Sequence, residues 1–246
     1  MRYFVEFSYK GTNYHGWQIQ PNALSVQQML NNALSVLLNQ TTDTVGAGRT
    51  DSGVHARQMF AHFDSPAIDD VPKLIYKLNS YLPKDIAIHN LISVHDSAHA
   101  RFDATSRSYE YHIHTKKNPF AIDNSWLVSQ PLDLDLMNAA AAMLLGHRDF
   151  QCFSKSNTDV HTFNCEITEA YFSAGPSGLT FKISADRFLR NMVRAIVGTL
   201  VDVGTTKRSV TDFEQIIEGK NRQNAGKSAP AHGLFLTEVK YDYIKS

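Results

Sequence analysis

Apolar and polar side chains alternate from Arg2 to Tyr9, which places Tyr3, Val5, Phe7 and Tyr9 on one face of an opening strand. A loop over 10–22 follows, and in it Tyr14, Trp17 and Gln18 suit either a core or a ligand. Ser25 then opens a helix: Gln28 completes a capping box, and Val26, Met29, Leu30, Ala33 and Leu37 recur at helical spacing. Strands are predicted over 43–47 and 59–63, a second helix capped by Asp70 with Pro72 in its first turn, and strands over 86–94 and 107–114. In the last of these, Tyr109, Tyr111 and Ile113 share one face and Glu110, His112 and His114 the other. A third helix over 134–145 stops at Gly146, and strand signal returns at 164–173 and 179–185. A long helix over 188–203, a shorter one over 212–218 and a strand over 234–241 close the chain; the polar run 219–231 predicts a surface loop.

Strands and helices mix here without the regular alternation of a doubly wound sheet. That predicts an α+β architecture built on a largely antiparallel sheet. The pattern breaks over 116–131, which divides the chain into halves 1–115 and 116–246. There is no internal repeat and no low-complexity segment.

Composition narrows the class. At 43% hydrophobic and 20% charged the chain has enough apolar residues for a packed core, and no apolar run reaches the length needed to span a bilayer. The N-terminus lacks a signal peptide's apolar middle, and two cysteines are too few for a disulfide framework, so a reduced, cytoplasmic setting is expected. With 24 basic and 24 acidic side chains, the surface as a whole does not grip nucleic acid, although a local basic face can.

The densest chemistry lies between two predicted strands, in Gly46-Ala47-Gly48-Arg49-Thr50-Asp51-Ser52-Gly53-Val54-His55-Ala56. Gly48 and Gly53 bracket a turn that needs positive φ or close approach, and functional groups concentrate in such loops. A tight inter-strand turn with Asp51 capping backbone N–H groups is the plain structural alternative. On the long helix, Arg187, Arg190 and Arg194 fall three and four apart and are expected on one face. Arg194 sits between Val193 and Ala195 in the most apolar part, where a guanidinium must meet an anion or solvent. A pairing with Asp51 would keep that carboxylate ionised and aimed; a salt bridge elsewhere or a solvated stripe would serve the helix equally.

Tyr109 suits a core position or a stacking platform for a nucleobase. Basic residues gather at Arg49 and Arg57, at Arg101 and Arg107, at Lys116 and Lys117, and over 187–227, where eight Lys/Arg against four Asp/Glu give a local net of +4. Metal binding is disfavoured, because His147, Cys152, His161 and Cys165 offer no CxxC or HxxxH pair. No GxSxG elbow, P-loop or dinucleotide fingerprint follows a strand, so neither a serine hydrolase nor a nucleotide cofactor is indicated.

The central loop Gly48-Arg49-Thr50-Asp51-Ser52-Gly53-Val54-His55-Ala56 resembles the signature loop of the tRNA pseudouridine synthase A family. Further stretches resemble that family in the expected order. They are Phe7-Ser8-Tyr9-Lys10-Gly11 with Tyr14-His15-Gly16-Trp17-Gln18, Ala100-Arg101-Phe102, Arg107-Ser108-Tyr109-Glu110-Tyr111, Phe188-Leu189-Arg190-Asn191-Met192-Val193-Arg194 with Gly198, and Ala229-Pro230-Ala231-His232-Gly233-Leu234-Phe235-Leu236. One departure stands out: Asn164-Cys165-Glu166-Ile167 lacks the basic residue the family pattern leads one to expect.

The resemblance implies two α/β halves sharing a largely antiparallel central sheet with a cleft between them. It also implies a homodimer in which each tRNA spans both subunits, isomerisation of uridines 38, 39 and 40 in the anticodon stem-loop, and no metal or organic cofactor. Asp51 would then be the essential carboxylate, Tyr109 the stacking platform and a late proton acceptor, and Arg194 the counter-charge. Arg49 would hold the nucleotide out, Leu234 would wall the pocket, and Arg57, Arg101, Arg107, Arg187 and Arg190 would contact the RNA. A non-catalytic RNA-binding module would explain the arginines without the carboxylate, and a small-molecule hydrolase the carboxylate without the arginines.

Overall fold

The computed structural model of the chain describes residues 1–155, 161–176 and 178–244. The predicted half 116–246 thus includes residues 156–160, 177 and 245–246, which lie outside the described residues. Two compact units form, one of residues 1–105 with 236–246 and the other of 106–235. The sequence reading draws its boundary at 115/116 instead, leaving the strand over 107–114 with the first half and the last strand with the second.

In the first unit, β1 (Arg2–Tyr9) lies between β3 (His55–Asp64) and β4 (Ile86–Val94), antiparallel to both. β2 (Val45–Gly46) pairs with β3, and β9 (Leu234–Lys240) flanks β3. The expected strand over 43–47 shrinks to two residues, whereas the strand expected over 59–63 runs over ten and begins at His55. Two helices accompany this sheet. α1 (Val26–Leu38) starts where the Ser25 side chain accepts the Gln28 N–H at 3.3 Å, and stops at Asn39, whose φ of 54° is left-handed. α2 (Val71–Tyr81) starts where Asp70 accepts the Lys73 N–H at 2.9 Å. Phe4, Phe7, Leu30, Leu34, Met59, Phe63 and Leu78 are fully buried and form the core of this unit.

The second unit carries β5 (Ser106–His114), β8 (Gly178–Ala185) and β7 (Ile167–Gly175) as an antiparallel run in that order, with β6 (Trp126–Leu127) parallel to β5. α3 (Leu134–Met143) ends in a 3-10 turn through Gly146. α5 (Val210–Glu218) begins earlier than expected, because Ser209 and Asp212 complete a capping box.

The largest difference from expectation concerns α4 (Met192–Gly204). The predicted helix began at 188, but Asn191 takes a left-handed φ of 65° and the backbone before it is not helical. Arg187 and Arg190 therefore precede the helix and do not share a face with Arg194. Eleven of the 13 residues of α4 are buried; the exceptions are Arg194 and Asp202. This is a helix enclosed on nearly every side, and its polar positions must be accounted for one by one.

The segment 219–231 supplies part of that enclosure, and so is more than a surface loop. Ala225, Gly226 and Ala229 are buried. The Gly226 N–H donates to Thr199 Oγ1 at 2.9 Å, and Thr199 Oγ1 donates back to the Ala195 carbonyl at 2.8 Å. A Cβ at Gly226 would lie 2.9 Å from Thr199 Cα, and one at Gly198 would run into the Lys227 carbonyl oxygen. Both glycines are needed for the close approach of two backbones. Gly198→Ala is therefore expected to lower stability by about 1–3 kcal/mol despite the better helix propensity of alanine, because the clash is with backbone. The urea unfolding midpoint checks this; an unchanged or raised midpoint would mean the segment is not seated on α4.

Candidate active site

Asp51 lies in the connection 47–54 between β2 and β3, half-buried, and the chain around it is fixed by the segment 9–17. Tyr9 and Thr50 share a hydroxyl–hydroxyl bond of 2.8 Å, and the Trp17 N–H donates to the Thr50 carbonyl at 3.4 Å. On the other side of Asp51, the Gly53 N–H and the Ser52 hydroxyl both donate to the Tyr14 carbonyl at 3.3 Å. The Val54 N–H closes the turn on the Asp51 carbonyl at 3.1 Å.

Glycines make this approach possible. Gly16, at φ +86°, could carry no Cβ without striking the Thr50 carbonyl oxygen, and Gly11 none without striking that of Val54. Within the turn, Gly53 takes φ +79°, while Gly48 has neither a positive φ nor a close neighbour, which corrects the expectation for that position. His55 is almost completely buried, and its Nδ1 accepts the Gly11 N–H at 3.0 Å, which places the ring proton on Nε2. Trp17 and Tyr14 are both core residues at 3% exposure: the indole covers Gly46 and lies 5.4 Å from Phe7, and the Tyr14 hydroxyl donates to Asp85 at 2.6 Å. Burial, with Asp85 beside it, pushes the Tyr14 phenol well above its usual range. Gln18, the third candidate in that loop, is exposed.

Other candidates of the first unit lie on its surface. Arg49 and Arg57 are exposed. Arg101 is exposed too, with its guanidinium 5.6 Å from the Phe102 ring centroid, on a turn where His99 Nδ1 accepts the N–H groups of Arg101 and Phe102.

In the second unit, Tyr109 on β5 is half-buried and meets Phe188 edge to face at 5.1 Å. A ring braced at its edge in this way keeps a fixed orientation. Two residues away Arg107 donates to the Asp186 carbonyl at 2.8 Å, which ties β5 to the turn before α4. On the opposite face of β5, Glu110 lies 3.1 Å from His112 and 3.7 Å from Lys182.

Arg194, in the first turns of α4, is held at two points on one residue. Its Nε donates to the Ala229 carbonyl at 2.8 Å, and its own carbonyl accepts the Ala229 N–H at 2.9 Å. The next carbonyl, Pro230, accepts the Tyr111 hydroxyl at 2.8 Å. Burial pushes the Tyr111 phenol far above its ordinary range, and the nearby Arg194 charge pulls the other way. Burial lowers His232, and Arg194 adds a smaller push in the same direction. Leu234 is buried at the start of β9. Arg187 is half-buried and Arg190 exposed. Glu166, in the stretch that departs from the family pattern, pairs with Arg148 at 3.3 Å. Among the described residues no group of His, Cys, Asp and Glu side chains could hold a metal ion, and no helix is long and apolar enough to cross a membrane.

Sequence reasoning found the charged and aromatic side chains but missed what holds them. Phe188 as a brace for Tyr109, Ala229 as the acceptor for Arg194, and Gly16 and His55 as supports of the Asp51 turn carry little periodic signal.

A family model described as tRNA pseudouridine synthase matches residues 140–242. A protein named tRNA pseudouridine synthase A from Bacteroides fragilis is 51% identical over 98% of this chain and 96% of its own length. One of the same name from Porphyromonas gingivalis is also 51% identical, over 98% of this chain and 97% of its own length. A third, from Bacillus licheniformis, is 40% identical over 98% of this chain and its whole length. At these identities over nearly the full length, this chain belongs to the tRNA pseudouridine synthase A family.

Proposed function

We propose that this protein is an isomerase that converts uridine to pseudouridine in tRNA, acting at positions 38, 39 and 40 of the anticodon stem-loop. The observation that carries the reading is near-50% identity, end to end, to proteins named tRNA pseudouridine synthase A. The chemistry of the candidate residues agrees with it. The reaction breaks the bond between N1 of the base and C1′ of the sugar, turns the uracil over and joins C5 to the same C1′. The hydrogen on C5 leaves to solvent, and N1 gains a proton. A base stacked in a helix cannot turn, so the nucleotide must first be flipped out.

On this reading Asp51 is the essential group, as nucleophile or as base toward the sugar; both roles need it ionised. A turn with as many backbone anchors as the one around Asp51 suits a group that must be aimed. Arg194 supplies the counter-charge without competing for protons, since a guanidinium stays protonated. The flipped base stacks on Tyr109, whose phenol also helps take up the C5 proton late in the reaction. Arg49 holds the nucleotide out and Leu234 walls the pocket. Arg57, Arg101, Arg107, Arg187 and Arg190 contact the RNA backbone, although Arg107 also has its structural bond to Asp186. The cytoplasmic setting, the cleft between two α/β halves and the homodimer belong to the same reading.

Tritium release from tRNA carrying C5-tritiated uridine tests it, because neither a binding module nor a small-molecule hydrolase liberates that hydrogen. The wild-type protein is expected to release tritium and form pseudouridine, and Arg194→Met to lose at least about a hundred-fold in rate. No release by the wild-type protein contradicts the activity, and a wild-type rate in Arg194→Met contradicts the counter-charge. For the RNA face, Arg101→Ala is expected to weaken tRNA binding and to reduce the slope of log K against log salt by about 1. An unchanged slope takes Arg101 off that face.

A further inference from the structure

Arg194 is fixed by a loop, and the loop is itself fixed by a second arginine. Arg222 follows α5 and is half-buried. Its two terminal nitrogens reach different residues of the segment that holds Arg194: Nη1 donates to the Gly226 carbonyl at 3.1 Å and Nη2 to Ser228 Oγ at 3.0 Å. Ser228 Oγ also accepts Asn191 Nδ2, at 2.6 Å, and Asn191 is the left-handed residue that caps α4 three positions before Arg194. Ala229, next in the chain, grips Arg194 through both its N–H and its carbonyl. The path from Arg222 to the Arg194 guanidinium is thus one hydrogen bond to Ser228, one peptide unit, and one hydrogen bond to Nε.

We propose that Arg222 is a positioning residue for Arg194, setting the register of 226–229 so that the Ala229 carbonyl meets Arg194 Nε and fixes the plane of its guanidinium. The inference rests on the reading of Arg194 given above. The segment has other anchors, Gly226 on Thr199 and Pro230 on Tyr111, so it stays folded when Arg222 is changed. Those anchors lie on either side of Ser228-Ala229, where a small shift is enough to misalign a planar fork. A guanidinium is the side chain that spans two acceptors in a fixed geometry, and an ammonium can hold only one of them at a time in this way.

Steady-state tritium release from C5-tritiated tRNA tests the proposal. Arg222→Met is expected to lower kcat about ten-fold while KM for tRNA stays within about two-fold, and Arg222→Lys to recover about a third of the lost rate. The decisive comparison uses Arg194→Lys, which keeps a cation but has no Nε for Ala229. In that background Arg222→Met is expected to cost less than about two-fold further. An unchanged kcat in Arg222→Met overturns the proposal. So does a raised KM at constant kcat, which would make Arg222 an RNA contact, or a full ten-fold loss that persists beside Arg194→Lys. Should Arg222→Met fail to fold, Ser228→Ala removes the shared acceptor and is expected to show the same kcat loss and the same dependence on Arg194. A wild-type rate in Arg194→Met overturns the reading of Arg194 itself; activity lost there but kept in Arg222→Met overturns the positioning role only.

Discussion

A cation on an enclosed helix is the constraint from which the second unit follows. α4 is apolar on nearly every side, so it can be buried, but Arg194 brings a guanidinium in among the apolar side chains. Such a group is tolerated only where its donors are met, and here the chain folds a loop back to meet them. Gly198 and Gly226 let the two backbones touch, Thr199 and Ala195 anchor the contact, and the Ala229 carbonyl accepts the hydrogen bond from Arg194 Nε. The loop's position and the guanidinium's orientation are two results of one packing arrangement. That arrangement also explains why the helix begins at Met192: Asn191 turns left-handed, which lets its side chain reach Ser228.

The first unit meets a different demand with similar means. A carboxylate is cheap to leave in solvent but hard to aim there, and the turn bearing Asp51 is aimed by backbone contacts on both sides. Thr50 is held by Tyr9 and Trp17, Ser52 and Gly53 by Tyr14, and the lack of a side chain at Gly11 and Gly16 makes room for the crossing. Of the aromatic side chains of 9–17, Trp17 and Tyr14 are buried and spent on packing, and apart from the Tyr9 hydroxyl on Thr50 it is the backbone of that segment that does the holding. Arg194 shows the same division: a side chain marked by its chemistry, and a carbonyl from elsewhere in the sequence, that of Ala229, that fixes it.

How much of this the sequence could tell follows from that division. Period-2 and period-3.6 patterns reported β4 to the residue, and α1 and α2 from their caps, because burial of one face writes itself into those spacings. The start of α4 was hidden, since residues 188–191 are compatible with a helix and the partner of the left-handed Asn191, Ser228, lies far along the chain. The segment 219–231 is polar and glycine-containing for a reason composition cannot reveal: Gly226 serves contact with a helix, not exposure. Gly48 and Gly53 looked alike in the sequence, yet only Gly53 needs its freedom. For the candidate site, Asp51, Tyr109 and Arg194 stood out as residues with chemistry in an unusual setting. Their supports, Phe188, Ala229 and Gly16, are ordinary residues whose importance exists only in three dimensions.

The central claim is that one ionised carboxylate, held on that turn, is what the reaction requires. Asp51→Asn tests it most directly, because it preserves the size of the side chain and removes only the charge and the nucleophilic oxygen. With tRNA in complex with saturating enzyme, single-turnover release of C5 tritium is predicted to fall by at least about a thousand-fold while tRNA affinity is retained. Release at a rate near that of the wild-type protein would contradict the account.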